Sequence, residues 1–315
     1  MKSFEVIIAG DINLDLILYG LPKQMPLERE LLARDFKLTL GGSSAILAHN
    51  LSALGSKVGM IGKVGRDEMG ALALDRLKHA GVDLSQCIQT TEGTQTGVTI
   101  LLHHGSARHI LTYLGTMAEL RAEELNLEYL LQARHFHVSA FFLQKGLQSG
   151  LPSLCRTLRE QGVSVSLDTN DDPDDIWGEP FLAMLPEIDL LLPNEDEARR
   201  MARTEDLSQA IHWLAARVPI VAVKCGSKGA IVQRGTQRWE IPATLVEPVD
   251  TIGAGDSFDA GFLARFLRGE SLEACARAGN QAAAISTLRP GGTEAFRDPE
   301  LLERVRAAVV SIPQS

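Results

Sequence analysis

The segment DTIGAGDSFDAGF, residues 250–262, places Gly253 and Gly255 ahead of Asp256 where an apolar helical repeat begins, marked by Phe258, Phe262 and Phe266. Backbone N–H groups at a helix start lack intrahelical partners and sit at the positive end of the helix dipole. Glycines there let an anion approach without obstruction by Cβ. The expected chemistry is phosphate binding by the amides of Gly253, Ala254 and Gly255. Asp256 has two readings, an ordinary N-terminal capping carboxylate or a general base beside a transferring phosphoryl group. A cap does not account for the glycines, nor for Asp250, a second carboxylate that would repel phosphate unless a cation neutralised it.

Such a loop has to be carried by strands, and the apolar runs supply them. FEVIIA (4–9), VGMIG (58–62), HFHVSAF (135–141), VSVSLD (163–168), IDLLLP (188–193) and PIVAVKCG (219–226) read as strands buried on both faces. Helical periodicity separates them at 43–54, 67–80, 147–161 and 207–218, and the last third is helical at 256–268, 271–288 and 298–310. TLVEPV (244–249) reads as a further strand leading into the glycine loop. Alternating strand and helix predicts a mostly parallel sheet between helical layers. The regions 14–40 and 96–115 break the rhythm and read as antiparallel strands forming a small lid on a single domain of residues 1–315.

Composition bounds the partners. With 45% hydrophobic residues, 23% charged residues and a formal net charge of -9, the chain reads as globular, and nonspecific binding to nucleic acid or an anionic membrane is disfavoured. No apolar window is long enough for a membrane span, and the first residues do not make a signal sequence, so a cytoplasmic location is expected. Cys87, Cys155, Cys225 and Cys275 are scattered and read as buried thiols. His103, His104 and His109 read as solvated hairpin residues, not a metal set.

DTIGAGDSFDAGF resembles the C-terminal signature of the ribokinase-like (PfkB) carbohydrate kinases, and GGSSAILAHNLSALG (41–55) resembles their N-terminal glycine–glycine signature. GDINLD, GKVGRDEMG, NEDE and KCGSKG extend the likeness over nearly the whole chain. No P-loop, no G-x-G-x-x-G after the first strand and no G-x-S-x-G elbow is present. The resemblance implies a three-layer α/β sandwich with a β lid, and an ATP- and Mg²⁺-dependent kinase acting on a hydroxyl of a small sugar, dimeric through the lid. The alternatives are a nucleoside kinase of the same fold and a catalytically silent sugar- or nucleotide-binding regulator.

The resemblance also assigns roles. Asp256 would be the base, and Asp11, Asn13, Asp15, Gly41 and Gly42 would meet the sugar. Lys224, Gly226 and Asn280 would meet the nucleotide. Asn194 and Glu197 would hold Mg²⁺ through water, although NEDEARRMA also reads as a helix start capped by Asn194. Lys224 reads equally as a surface lysine, and Asn280 as a polar residue on a helix flank. Asp250 with the carbonyls of Ile252, Thr287 and Gly292 resembles a site for a monovalent cation such as K⁺. Asp168 is expected to be scaffold near the site, and Asp259 a first-turn acid. Ile46 departs from the pattern at a position often Asn, so that one sugar contact is either missing or supplied by another residue.

Overall fold

The structure is a computed structural model that describes residues 2–90, 93–104 and 107–310. Gly105 and Ser106 of the expected lid, and the two ends of the expected domain, lie outside the described residues. The strands are β1 (Phe4–Ala9), β2 (Asn13–Tyr19), β3 (Asp35–Gly41), β4 (Val58–Ile61), β5 (Lys63–Gly65), β6 (Ile88–Thr90), β7 (Gly97–His104), β8 (Ala107–Tyr113), β9 (Ala133–Val138), β10 (Ser164–Leu167), β11 (Leu190–Leu191), β12 (Ile220–Lys224), β13 (Ala230–Arg234) and β14 (Gln237–Ile241). Eight of them form one sheet in the order β14-β13-β12-β11-β10-β9-β1-β4. The neighbours from β12 to β4 pair in parallel, and β13 and β14 close the far edge as an antiparallel hairpin.

Period-two alternation divides the core. Val6 and Ile8 of β1 belong to one apolar layer with Leu47, Phe258 and Phe262; Ile7 and Ala9 belong to the other with Phe136, Leu158 and Ile211. Helices Ser43–Ala53, Ala254–Phe266, Leu272–Ser286 and Pro299–Val309 cover the first face, and Leu151–Glu160, Glu195–Ala202 and Leu207–Ala215 the second. Side chains on both faces must be buried, which is why these strands read as unbroken apolar runs. After β1 the chain adds β4 on one side, whereas after β9 it builds outward on the other side. The crevice at the C-terminal ends of β1 and β9 is therefore the topological switch point, where ligands bind in open α/β sheets.

The lid is a separate four-stranded sheet, β3-β2-β7-β8. Its two outer pairs are antiparallel, and β2 with β7 is parallel. Four details differ from the sequence reading. TLVEPV joins no ladder; preceded by Pro242 and containing Pro248, it runs as irregular chain with Leu245 exposed. The hairpin β13–β14 was not expected. The helix foreseen over 147–161 is interrupted at Gly150. Cys87 is only partly buried, unlike the other three thiols.

A polar strip crosses the apolar core. His135 and His137 project from β9 and share the Ser166 hydroxyl, at 2.6 and 2.7 Å, while Ser164 and Ser139 take their outer nitrogens at 2.7 and 2.8 Å. Burial pushes both imidazoles down to about 3. They are neutral in the fold and charge on unfolding, so their cost is absent above pH 6.5 and grows as pH falls from 6.5 toward 3. We predict that between pH 7 and pH 5.5 each costs roughly 1 kcal/mol of stability. Urea unfolding of wild type and His137→Gln should show a shallower acid decline in the variant. Parallel declines would overturn this.

Candidate active site

Two helix starts converge on the switch point. The loop after β1 presents Asp11, whose carboxylate accepts the N–H groups of Ser43 and Ser44, both at 2.9 Å, at the start of helix Ser43–Ala53. Each Asp11 oxygen thus takes one amide at the helix start, a structural role beside the sugar contact expected of it. Gly42 precedes the helix at φ 84°, where a Cβ would lie 2.6 Å from Asn13 Oδ1. At Gly41 the space a Cβ would take is filled by the Asp15 carboxylate, so the glycine lets that side chain lie against the backbone.

The second start is the glycine loop. Helix Ala254–Phe266 begins with Gly253 as its N-cap, at φ 69°, and no side chain caps it. Asp256 is therefore not the cap. It sits in the first turn, almost fully buried, and apart from a long 3.3 Å bond from the Ala254 N–H to the Thr251 carbonyl the first-turn amides are left for water or a ligand. A Cβ on Gly253 would fall 2.4 Å from Gly292 Cα, so the loop packs directly on the 291–293 turn. Ile46 is buried against the same two glycines. Its side chain is packing, and it supplies no polar group to the site.

Beneath this helix lies a charge cluster that the sequence reading did not assemble. Lys224, at the end of β12, donates to Asp168 Oδ2 at 2.7 Å and to Asp259 Oδ2 at 3.3 Å. Its ammonium is 3.6 Å from the position a Gly255 Cβ would take. Lys224 is thus an ammonium held under the anion loop and not a surface lysine. Asp259 Oδ1 is buried without a hydrogen bond. The spacing of Asp256 and Asp259, three residues apart on one helix, was the signal that could have found the cluster.

Burial, then the charge of Asp168, push the Asp256 carboxyl up to about 8, with Lys224 pulling the other way. Burial also lifts Asp259 well above the carboxylate range. Asp168 stays below its ordinary value despite burial, because Lys224 faces it. A protonatable carboxyl held near neutrality at an anion loop can accept a proton during reaction.

The lid supplies polar groups from the other side. Asn13 Nδ2 donates to Thr99 Oγ1 at 3.1 Å, and Asn13 Oδ1 is buried with no partner. Burial, then Asp11, lift the Asp15 carboxyl to about 7. Asn13 and Asp15 therefore retain unmet hydrogen-bonding capacity that hydroxyls could fill. Thr99 was not foreseen, although it faces Asp15 in register on β7.

The expected nucleotide and metal residues fare unevenly. Gly226 and Asn280 line a cleft of about 330 Å³ with Leu245, Val246, Ala283 and Ala284, bounded by Ala254 of the glycine loop. Asn280 Nδ2, however, donates to the carbonyls of Ile241 and Pro242 and so pins the end of β14. Asn194 and Glu197 form a reciprocal cap at helix Glu195–Ala202, each backbone N–H donating to the other's side chain at 2.9 Å. Burial, then Asp168, raise Glu197 to about 7. Asp250 accepts from Ile252, Gly291 and Tyr19. Among the described residues no three His, Cys, Asp or Glu side chains form a metal-holding group. His104 is buried, not solvated, and its ring meets His109 at 4.6 Å.

With the geometry in hand, comparison with known proteins gives concordant results. The family profile described as pfkB family carbohydrate kinase matches residues 3–299. An ATP-dependent ribose-1-phosphate kinase of Halopiger xanaduensis is 32% identical over 92% of this chain and 94% of its own. Ribokinase of Arabidopsis thaliana, solved with ribose and ATP, superposes with a TM-score of 0.82 at 24% identity, covering 96% of this chain and 99% of that one. Adenosine kinase of Sinorhizobium meliloti gives 0.80 at 24% identity, covering 93% and 96%. At these identities the two structures speak for the fold alone. No helix among the described residues is long and apolar enough to cross a membrane.

Proposed function

The chain belongs to the pfkB family of carbohydrate kinases, and from that premise we propose that it transfers the γ-phosphate of ATP to a hydroxyl of a small sugar, with Asp256 as general base. The observation that carries this is the buried Asp256 carboxyl in the uncapped first turn of helix Ala254–Phe266, with Lys224 beneath it. Asp256 takes the hydroxyl proton as that oxygen attacks phosphorus, and the N–H groups of Gly253, Ala254 and Gly255 stabilise charge on the phosphoryl oxygens. Asn13 and Asp15 orient the sugar under the lid. The apolar cleft beside Ala254 takes the adenine base.

Mg²⁺ accompanies the nucleotide. Each Glu197 oxygen accepts one bond from Asn194, which leaves a lone pair on each for a metal-bound water. When bound, Mg²⁺ supplies charge neutralisation on the phosphates. The reaction takes place in the cytoplasm.

The test is ADP formation with MgATP across ribose, ribose 1-phosphate, fructose, ketodeoxygluconate, adenosine and cytidine. Turnover of a sugar or sugar phosphate is expected. Exclusive turnover of a nucleoside would transfer the reading to a nucleoside kinase, and tight sugar binding without turnover would leave a silent regulator.

The lid edge suggests the assembly. β8 is exposed along its length, including Ile110, Leu111 and Tyr113, and such an edge invites pairing. We expect a homodimer through the lid at micromolar concentration, dispersed by Leu111→Lys. Sedimentation of wild type as a monomer would remove this.

A further inference from the structure

Three consecutive residues leading into the glycine loop are held by the lid. Tyr19, at the end of β2, donates its hydroxyl to Asp250 Oδ2 at 2.9 Å. Arg108 of β8 donates to Thr251 Oγ1 at 3.2 Å. Ile252 packs with Ile17, Leu101 and Tyr19 in an apolar cluster separate from the two main layers. Tyr19 lies on the same strand as Asn13 and Asp15, so one strand joins the sugar platform to the phosphate loop.

Oxygen lone pairs decide what else can bind there. Asp250 Oδ2 accepts from Tyr19 and from Gly291 N at 3.1 Å, and Oδ1 accepts from Ile252 N at 3.1 Å. The Thr287 carbonyl accepts from Val249 N at 2.8 Å and Asp250 N at 3.1 Å, and the Gly292 carbonyl accepts from Asn50 Nδ2 at 3.0 Å. Each such oxygen offers two lone pairs. Asp250 Oδ2 and the Thr287 carbonyl are therefore saturated by the chain itself. Of the oxygens foreseen for a monovalent cation, Asp250 Oδ1 and the Gly292 carbonyl each keep one lone pair, but Asp250 Oδ2 and the Thr287 carbonyl could join such a site only by expelling Tyr19 or a backbone amide.

We propose that the Tyr19 hydroxyl holds Asp250, and through it the loop that leads into the anion cradle, in place of a monovalent cation, and that phosphoryl transfer by this chain needs no such cation. Tyr19 is then a positioning residue: it touches neither reactant, and it acts through Asp250 and the Ile252 amide. Burial and the Asp250 charge keep its phenol protonated, so it remains a donor throughout the working range. The inference rests on the kinase reading.

The experiment compares wild type and Tyr19→Phe in tetramethylammonium chloride and in KCl at matched ionic strength. Wild-type kcat should differ by less than about twofold between the salts. Tyr19→Phe should lose roughly tenfold in kcat with little change in acceptor KM, because one charge-assisted hydrogen bond is gone. KCl should restore part of that loss, since the freed lone pair opens a place for the ion. Melting temperature gives a readout independent of turnover: K⁺ should raise it in the variant and not in wild type. A wild type that requires K⁺, or a variant whose kcat and melting temperature ignore the salt, would overturn the proposal. If no acceptor is turned over at all, the kinase reading fails, and the melting comparison still decides whether Tyr19 occupies the cation's place.

Discussion

Asp256→Asn is expected to lower kcat by about 10²- to 10⁴-fold, the usual contribution of a positioned base, while making the folded protein more stable at neutral pH. Both effects have one source. The Asp256 carboxyl stands at about 8 in the fold against 3.8 unfolded, so above pH 3.8 the unfolded chain releases a proton that the folded chain retains. The group therefore costs stability that increases as pH rises from 3.8 toward 8, up to about 4 kcal/mol at pH 7. Asparagine fills the same space without that penalty. The variant should melt higher than wild type at pH 7, and the gap should close as pH approaches 4. Wild-type kcat/KM should climb with pH toward about 8 as the base ionises, and this limb should be absent from the residual activity of the variant. An asparagine variant with near wild-type kcat would remove Asp256 from the chemistry.

The glycine loop and the parallel strands were legible because each follows from a local rule. A strand buried on both faces must be apolar throughout, and an anion loop at a helix start needs glycine next to exposed amides. The positions of Asp250, Asp256 and the lid strands followed from those patterns. What stayed hidden depends on distance in the chain. Lys224 lies 56 residues from Asp168 and 35 from Asp259, and only the neighbouring of β10, β11 and β12 brings their ends together. The same holds for Tyr19 and Asp250, 231 residues apart. Asp11 and Asn280 illustrate the converse. Their types suit a ligand, and their side chains also serve backbone donors and carbonyls nearby, a role that no local pattern announces.

Lys224→Met is expected to cost about 3–5 kcal/mol of stability, the usual result of removing one partner from a buried ion pair. The methionine fills most of the volume, so packing is nearly preserved and the loss is electrostatic. In wild type one ammonium faces Asp168 and Asp259, which are almost fully buried, with Asp256 and Glu197 also within its field. Without it, Asp168 loses the charge that keeps its pKa low, and Asp256 loses a charge that favours its ionisation. The acid limb of kcat/KM should move to higher pH in Lys224→Met. Asp168→Asn removes the negative neighbour that, after burial, most raises the Asp256 carboxyl, and should move that limb to lower pH. Opposite displacements distinguish charge tuning from simple loosening of the site, which would lower the rate without a signed shift. Asp168→Asn placed in the Lys224→Met background should restore part of the lost stability, since it deletes the carboxylate left without its counter-charge. Two variants that shift the limb in the same direction, or a double variant no more stable than Lys224→Met alone, would refute the role assigned to this cluster.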